Sequence, residues 1–367
     1  MRLFDRVKTC VVALSLVAAG HSAYAQQNHS NAAAGISVVA STIPANGDVN
    51  PYGIVVVPRS TGSLIQGNIL VSNFNNSYNL QGTGTTIVQI APDGTASLFA
   101  QIDAHKLPGP CPGGVGLTTA LSVLRSGWVI VGSLPTMDGT SATARAGCLL
   151  VLNSGGKVVE TFYGSLINGP WDMTALDAGG SADLFVTNVL NGTVAAGGKV
   201  VHGGTVTRLT LTGLNGKTPE LQSITVIGAG FSERTDPNAL VIGPTGVGLS
   251  ANADLLYVAD SLNNRITAIP DPVFRDTSAG SGAIVTQGGS LNDPLGLTVS
   301  QDGNILTANG DDGFLVVTTP NGDQVFKTLL DSSGTPPGSG ALFGLVHVPG
   351  EGLYYVDDAT NTLNLFQ

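Results

Sequence analysis

Six polar residues, each at the end of a similar apolar segment, are the first candidates for chemistry in this sequence. They are Asn73, Ser133, Asn188, Asp260, Asn309 and Asp357. Carboxylate, amide and hydroxyl oxygens that converge on one place can bind a polar substrate or Ca²⁺, which takes roughly six to eight oxygen ligands. The alternative is structural, because Asn and Asp at a strand end commonly bond the backbone of the following turn.

Residues that could bind a divalent cation or transfer a proton are also present. Asp172, Asp260 and Asp357 are the carboxylates available to a divalent cation that would polarise a substrate oxygen. His347 and Asp172 are the candidate acid/base groups. The alternative for His347 is structural, because a lone histidine in an apolar strand is more often a packed, hydrogen-bonded side chain. The sequence has no phosphate-binding loop and no Gly-x-Ser-x-Gly elbow in a credible triad context.

Six copies of one pattern must position these residues. Each copy opens with a Gly- or Pro-containing turn and a short apolar strand, as in residues 293–297 (DPLGL), and its second strand ends in one of the six polar residues. A third strand follows, with hairpin signals such as Asp93-Gly94 in several copies. Each copy has the length of one four-stranded blade. The pattern therefore predicts an all-β, six-bladed β-propeller.

The last copy ends with its third strand and lacks a fourth. Residues 36–40 (ISVVA) have the composition of a strand. We expect this N-terminal strand to close the last blade, because pairing there removes two open sheet edges. The expected organisation is a signal peptide over residues 1–25, a flexible leader over 26–35 and the propeller over 36–367.

The N-terminus has the features of a cleaved secretory signal. A basic start precedes an apolar run over residues 10–20, and the small residues Ala23 and Ala25 precede Gln26. The apolar run is shorter than the roughly 20 residues that span a bilayer, although an anchored N-terminal helix is the alternative. These features predict a periplasmic or extracellular protein without membrane insertion.

The charge balance excludes some partners. The chain has a net charge of −10, and removal of its basic start makes the rest more negative. Nucleic acid and anionic lipid both require a positive surface, so we expect neither as a partner. We expect a monomer.

Two cysteines remain beyond the signal segment, Cys111 and Cys148. They fall in one expected blade, so an oxidising compartment would favour a disulfide between them. Two free, buried cysteines are the alternative. No Cys/His cluster indicates zinc.

The fourth copy resembles a known repeat. Residues 255–266 (LLYVADSLNNRI) are similar to the NHL repeat, in which an Asp-x-x-Asn-x-Arg-Ile turn joins the second and third strands, and residues 293–304 are similar to the same family. The resemblance implies a six-bladed propeller. NHL repeats include protein-binding and RNA-binding modules, and related propellers include gluconolactonase-type lactonases, streptogramin lyases and amidating lyases. Gluconolactonase-type relatives use an opening-strand glutamate at their metal site. Residues 50–53 lack a glutamate, and Asp172 is the acidic residue best placed in an opening strand.

Blades one to three carry inserted segments that the other blades lack. They are residues 74–84, 134–147 and 190–204, and residues 228–243 form a further long connection. These segments should emerge on one face and form a wall beside the central opening, although neutral loop drift is the alternative. The leading prediction is a binding module that recognises a partner protein, a glycan or a small molecule and requires no cofactor. The alternative is a hydrolase or lyase that uses Ca²⁺ or another divalent cation.

Overall fold

The computed structural model describes residues 35–237 and 239–367, so the expected signal peptide and nearly all of the expected leader lie outside the described residues. Its strands form six antiparallel sheets. Blade 1 comprises β2 (Val49–Val56), β3 (Ile69–Asn75), β4 (Thr86–Ile90) and β5 (Ala96–Gln101). Blade 2 comprises β6 (Leu117–Val123), β7 (Val129–Ser133), β8 (Cys148–Leu152) and β9 (Val158–Phe162).

Blade 3 has five strands, β10 (Pro170–Asp177), β11 (Ala182–Asn188), β12 (Val201–Thr212), β13 (Glu220–Asp236) and β14 (Leu240–Ile242). Blade 4 comprises β15 (Pro244–Leu249), β16 (Leu255–Asp260), β17 (Arg265–Pro270) and β18 (Ala283–Gln287). Blade 5 comprises β19 (Pro294–Val299), β20 (Ile305–Asn309), β21 (Phe314–Thr318) and β22 (Gln324–Leu329). Blade 6 comprises β23 (Leu342–Val348), β24 (Gly352–Asp357), β25 (Thr362–Phe366) and β1 (Ile36–Ser41).

The six sheets confirm the predicted all-β, six-bladed propeller. Helical structure in the described residues is confined to α1 (Thr193–Ala196) and three 3-10 turns, Ala104–Lys106, Ser141–Thr143 and Ser261–Asn263. No helix in the described part of the chain is long and apolar enough to cross a membrane.

The opening strand of every blade is its innermost strand. In all six blades its pairing with the second strand is interrupted by a bulge directly after the pair that contains the polar residue of that blade, namely Asn73, Ser133, Asn188, Asp260, Asn309 or Asp357. At this position adjacent inner strands approach so closely that a Cβ on Gly296 would lie 1.9 Å from the carbonyl oxygen of Phe343, and one on Gly344 would lie 2.3 Å from that of Tyr52. Glycine at these two positions therefore allows the close packing of blade 5 on blade 6 and of blade 6 on blade 1.

Hydroxyl groups on the second strands link neighbouring blades. Thr187 Oγ1 accepts a hydrogen bond from the Asp172 backbone N–H (3.0 Å) and donates one to the carbonyl oxygen of Thr245 (2.8 Å) in the next blade. Ser72 makes the corresponding bonds to Gly53 and Thr118. The inner strands are thus joined by hydrogen bonds as well as by packing.

The outermost strand of blade 6 comes from the N-terminal part of the described chain. β1 pairs antiparallel with β25, from Ile36 opposite Phe366 to Ser41 opposite Thr362. Gly35 and Gln367 exchange backbone hydrogen bonds of 3.1 Å just beyond this ladder.

The expectation for residues 228–243 was wrong. This segment is not a loop but the second half of β13 followed by β14, a hairpin that adds a fifth strand to blade 3. β12 likewise begins at Val201, inside the expected insertion 190–204. The pairing of β12 with β13 contains four register shifts, which accommodate the glycines that suggested a loop.

Cys111 and Cys148 form a disulfide. It ties the segment before β6 to the first residue of β8, so both cysteines belong to blade 2, as the repeat pattern predicts. Cys148 is fully buried in the apolar core of that blade.

Candidate axial site

The inner strands of all six blades surround a cavity of about 280 Å³ on the propeller axis. Aliphatic residues are the most frequent in its lining, Leu121, Val247 and Leu297 among them, and its hydroxyl groups come from Thr119, Ser122, Thr174 and Thr298. The Thr119 hydroxyl is buried and has no hydrogen-bond partner among the described residues. The cavity lining therefore includes a hydroxyl group with unused hydrogen-bonding capacity.

An aromatic plug closes the axis on the face at which the inner strands begin. Tyr52 stacks between Phe74 and Phe343, with ring centroids 4.4 and 3.8 Å away, and Trp171 lies 6.4 Å from Phe343. β14 adds Leu240, Val241 and Ile242 to the same cluster. We call this the loop-rich face, because the connections between the second and third strands also emerge there.

The axis is more open at the opposite face. The inner strands are buried at their starts and become partly exposed towards their ends, most clearly in β10, β19 and β23. The cavity lining follows these strands from Asp172 and Gly344 to Val123 and Val299. A ligand would therefore enter from the ends of the inner strands.

Asp172 is the one ionisable side chain among the described residues that line this cavity. It occupies the place in β10 that corresponds to Gly53 in β2 and Gly296 in β19, two residues after the proline that pairs with the polar residue of the second strand. Its Oδ1 accepts the Met173 N–H at 2.8 Å, and its Oδ2 accepts the Val247 N–H of the next blade at 3.0 Å. Both carboxyl oxygens are therefore held in place.

Asp172 is buried, with only 8% of the residue exposed, and this burial controls the ionisation of its carboxyl group. Desolvation raises the pKa of this carboxyl to about 8, against the opposing effect of the two N–H groups of Met173 and Val247. At neutral pH the carboxyl is mainly protonated. It can donate a hydrogen bond or a proton inside the cavity.

The six strand-end residues are buried, and each is engaged locally. Asn73 donates to the carbonyl oxygen of Thr42 (3.0 Å), Asn188 to Thr207 Oγ1 (3.2 Å) and Asn309 to the carbonyl oxygen of Ser290 (2.8 Å). None of the six lines the axial cavity. The amide oxygens of the three asparagines have no partner among the described residues.

The other three strand ends also bond nearby groups. Ser133 Oγ accepts the Gly116 N–H and donates to the carbonyl oxygen of Gly114, both at 3.0 Å. Asp357 accepts the Thr360 N–H at 3.1 Å. Asp260 accepts hydrogen bonds from Asn263 and from the Arg265 guanidinium, the latter at 2.7 Å. Asp357 thus bonds the backbone of the turn that follows its strand, whereas Asn73, Ser133 and Asn309 bond backbone groups elsewhere and Asp260 bonds side chains.

The structure does not assemble the predicted metal ligands or the predicted acid/base pair. No three His, Cys, Asp or Glu side chains in residues 35–237 and 239–367 form a group able to hold a metal ion, so Asp172, Asp260 and Asp357 are not brought together. His347 lies in β23 opposite Leu353 and does not line the axial cavity beside Asp172. Binding of a divalent cation stays a prediction, and the described residues include no group of such side chains that would ligate it.

Sequence reasoning missed the burial of another carboxyl, Glu233. It is 0% exposed, its Oε1 accepts the Asn191 N–H at 3.0 Å, and its Oε2 has no partner among the described residues. Burial raises the pKa of Glu233 to about 8. No sequence signal identifies it, because residues 228–243 were interpreted as an exposed connection.

Comparisons with known proteins support the fold. No protein-family model matches the chain, and no curated protein sequence matches it. A gluconolactonase from Xanthomonas campestris has a similar structure, with 13% sequence identity, a TM-score of 0.53 and coverage of 91% of this chain and 89% of that one.

Two further solved structures are similar. The calcium-binding protein regucalcin from Agrobacterium tumefaciens has 13% identity, a TM-score of 0.51 and coverage of 89% and 92%. Virginiamycin B lyase from Staphylococcus aureus has 13% identity, a TM-score of 0.50 and coverage of 91% and 99%. At this identity the similarity establishes the fold alone. The NHL-repeat assignment stays a prediction.

Proposed function

We propose that the protein is an enzyme of the lactonase or lyase type that acts on a small uncharged molecule in the axial cavity, with Asp172 as its proton donor. The observation that carries the proposal is the position of Asp172. A carboxyl group in blade 3 occupies the inner-strand position that is glycine in blades 1, 4, 5 and 6, and it is the one ionisable side chain among the described residues that line the axial cavity. A buried carboxyl kept neutral at pH 7 is suited to general acid catalysis.

The lining also limits the substrate. The described lining residues include no Lys, Arg or His, so an anionic group would have no counter-ion. The volume of about 280 Å³ lies at the lower end of the range of ligand pockets, roughly 300–1,000 Å³. A small carbonyl compound, held by Thr119 and protonated by Asp172 on its leaving or carbonyl oxygen, fits these limits.

Turnover of a panel of neutral lactones and small esters tests the proposal. We expect activity that falls as pH rises through about 8, because the neutral Asp172 carboxyl is the active form. Asp172→Asn should lower kcat by about 10²–10⁴-fold, and His347→Gln should leave it unchanged. Equal activity of Asp172→Asn and the wild type would contradict the proposal, as would no turnover of any compound in the panel.

A second function is favoured by the exposed side chains of the loop-rich face. Tyr78, Leu80 and Met137 are 84%, 36% and 64% exposed and lie on the inserted segments of blades 1 and 2. Exposed apolar side chains on loops held by a rigid scaffold suit a binding module for a protein, glycan or small molecule. Replacing the three residues with serine should abolish cross-linking to a partner in envelope extracts, and undiminished cross-linking would count against this function.

A further inference from the structure

A second recess, separate from the axial cavity, lies on the loop-rich face between blades 1 and 6. It has a volume of about 370 Å³, and its lining comes from the start of β2, the inserted segment of blade 1 and the turn between β24 and β25. The lining residues are Val49, Asn50, Ser77, Asn79, Asp358, Ala359 and Asn361. We call this recess the blade 1–6 groove. It shares no residue with the axial cavity.

The polar groups of the groove stand on fixed turns. Asn50, Asn79 and Asn361 have left-handed backbones, with φ of 59°, 58° and 55°. The Asn50 N–H donates to Asn361 Oδ1 at 2.7 Å, and Asn75 donates to Asn79 Oδ1 at 2.8 Å. These turns therefore lose little conformational freedom when a ligand binds.

Much of the hydrogen-bonding capacity of the groove is unused. Within the described residues, the side chains of Asn50, Ser77 and Asp358 make no hydrogen bond. Asn79 and Asn361 use their amide oxygens and keep their NH₂ groups free. Both donors and acceptors are thus available in one recess, which suits neighbouring hydroxyl groups, each of which both donates and accepts.

The inserted turn of blade 1 also carries an exposed aromatic residue. Tyr78 lies between the lining residues Ser77 and Asn79 in the chain and is 84% exposed, although it is not itself a lining residue. An aromatic ring gives a flat apolar surface for the C–H face of a sugar ring, while polar groups bind its hydroxyls. Residues 77–79 therefore supply both kinds of group that carbohydrate recognition uses.

Charge narrows the ligand class. The described lining contains no Lys, Arg or His, so the groove does not favour a phosphate or an acidic sugar. The polarity of the lining also disfavours a lipid.

The geometry points to a binding site for a neutral carbohydrate in the blade 1–6 groove, with Asp358, Asn50 and Asn79 bonding the sugar hydroxyls and Tyr78 stacking on the ring. The inference rests on the loop-rich face being a binding surface, the second function above. It does not depend on catalysis in the axial cavity.

The test uses the secreted chain on an array of neutral gluco-, manno-, galacto- and xylo-oligosaccharides, followed by titration calorimetry with the best ligand. We expect binding that weakens at least tenfold in Tyr78→Ala and in the near-isosteric Asp358→Asn. Tyr163→Ala, which removes another exposed tyrosine, and Asp323→Asn, which alters an exposed aspartate, are the matched controls and should bind as the wild type does.

Two results would overturn the inference. One is no binding to any neutral oligosaccharide on the array. The other is binding that Tyr78→Ala and Asp358→Asn leave unchanged. If partner cross-linking through the inserted loops persists in either case, the binding function stands and only the carbohydrate assignment fails. Melting curves of both variants verify that they are folded.

Discussion

Trp171 and Asp172 are consecutive in β10, yet Trp171 packs in the plug that closes the axis and Asp172 lines the cavity below it. The Trp171 indole belongs to the aromatic plug and donates through Nε1 to the carbonyl oxygen of Val241 at 3.1 Å. The Asp172 carboxyl lines the axial cavity and bonds the Val247 N–H. Alternation along a strand thus separates the sealed end of the axis from the candidate reactive group.

The plug should be a main source of stability for blade 3. We expect Trp171→Ala to lower the free energy of unfolding by about 3–5 kcal/mol, because it leaves a cavity among buried rings. Trp171→Phe should cost less, since it keeps most of the ring and loses mainly the bond to Val241. Urea denaturation measures both, and equal losses in the two variants would contradict the packing argument.

Stability should fall as pH rises from about 4 to about 8, because the pKa values of Asp172, Glu233 and Asp358, each about 8, are raised above those of unfolded carboxyls. In this window the folded state binds more protons than the unfolded state, so the free energy of unfolding declines with pH. Each kcal/mol lost lowers the melting temperature by about 2–4 °C.

Melting curves at pH 5 and pH 8 measure this effect. Glu233→Gln should flatten the dependence, because the amide keeps the shape of the side chain without ionising. A melting temperature that is higher at pH 8 than at pH 5 would contradict the prediction.

Reduction of the disulfide should destabilise blade 2. The Cys111–Cys148 bond closes a loop with a sequence separation of 37 residues, which the chain-entropy model values at about 4 kcal/mol. We expect Cys111→Ser/Cys148→Ser to unfold at a correspondingly lower urea concentration. Reductant should lower the midpoint of the wild type and leave that of the double variant unchanged.

The Asp260–Arg265 ion pair should be structural. Asp260 is fully buried and Arg265 is largely so, with 18% of its side chain exposed. Asp260→Asn leaves a buried cation without its partner, and we expect a loss of about 3–5 kcal/mol. Asp357→Asn is the matched control, because no ion pair joins Asp357 to a cation within the described residues. Equal effects of the two changes would contradict this role.

Metal removal tests the same residues in a different way. Arg265 and Asn263 already bond the Asp260 carboxylate, and no group of carboxylates forms around it in the described chain. We therefore expect EDTA to leave the melting temperature unchanged. Stoichiometric metal in elemental analysis, together with a lower melting temperature after EDTA, would instead restore the cation hypothesis.

The sequence by itself determined the architecture. Alternating apolar strands and glycine turns are local signals, and their six-fold recurrence was sufficient to predict the blades and the order of their strands. Residues 36–40 stood out as a strand for the same reason, and they pair with β25. The grouping of Cys111 and Cys148 in one blade also followed from the repeat.

Only the tertiary structure decided what the polar residues do. Val247 N–H reaches Asp172 across 75 positions of the chain, and β14 reaches the aromatic plug because bulges carry a glycine-rich segment along β13. Five of the six polar residues end their strands as predicted, whereas β3 continues to Asn75, two residues beyond Asn73. Their partners, such as Thr42 for Asn73, depend on how the blades pack. A local pattern specifies a strand and its face, whereas burial, proton affinity and bonding partners depend on segments that are distant in sequence.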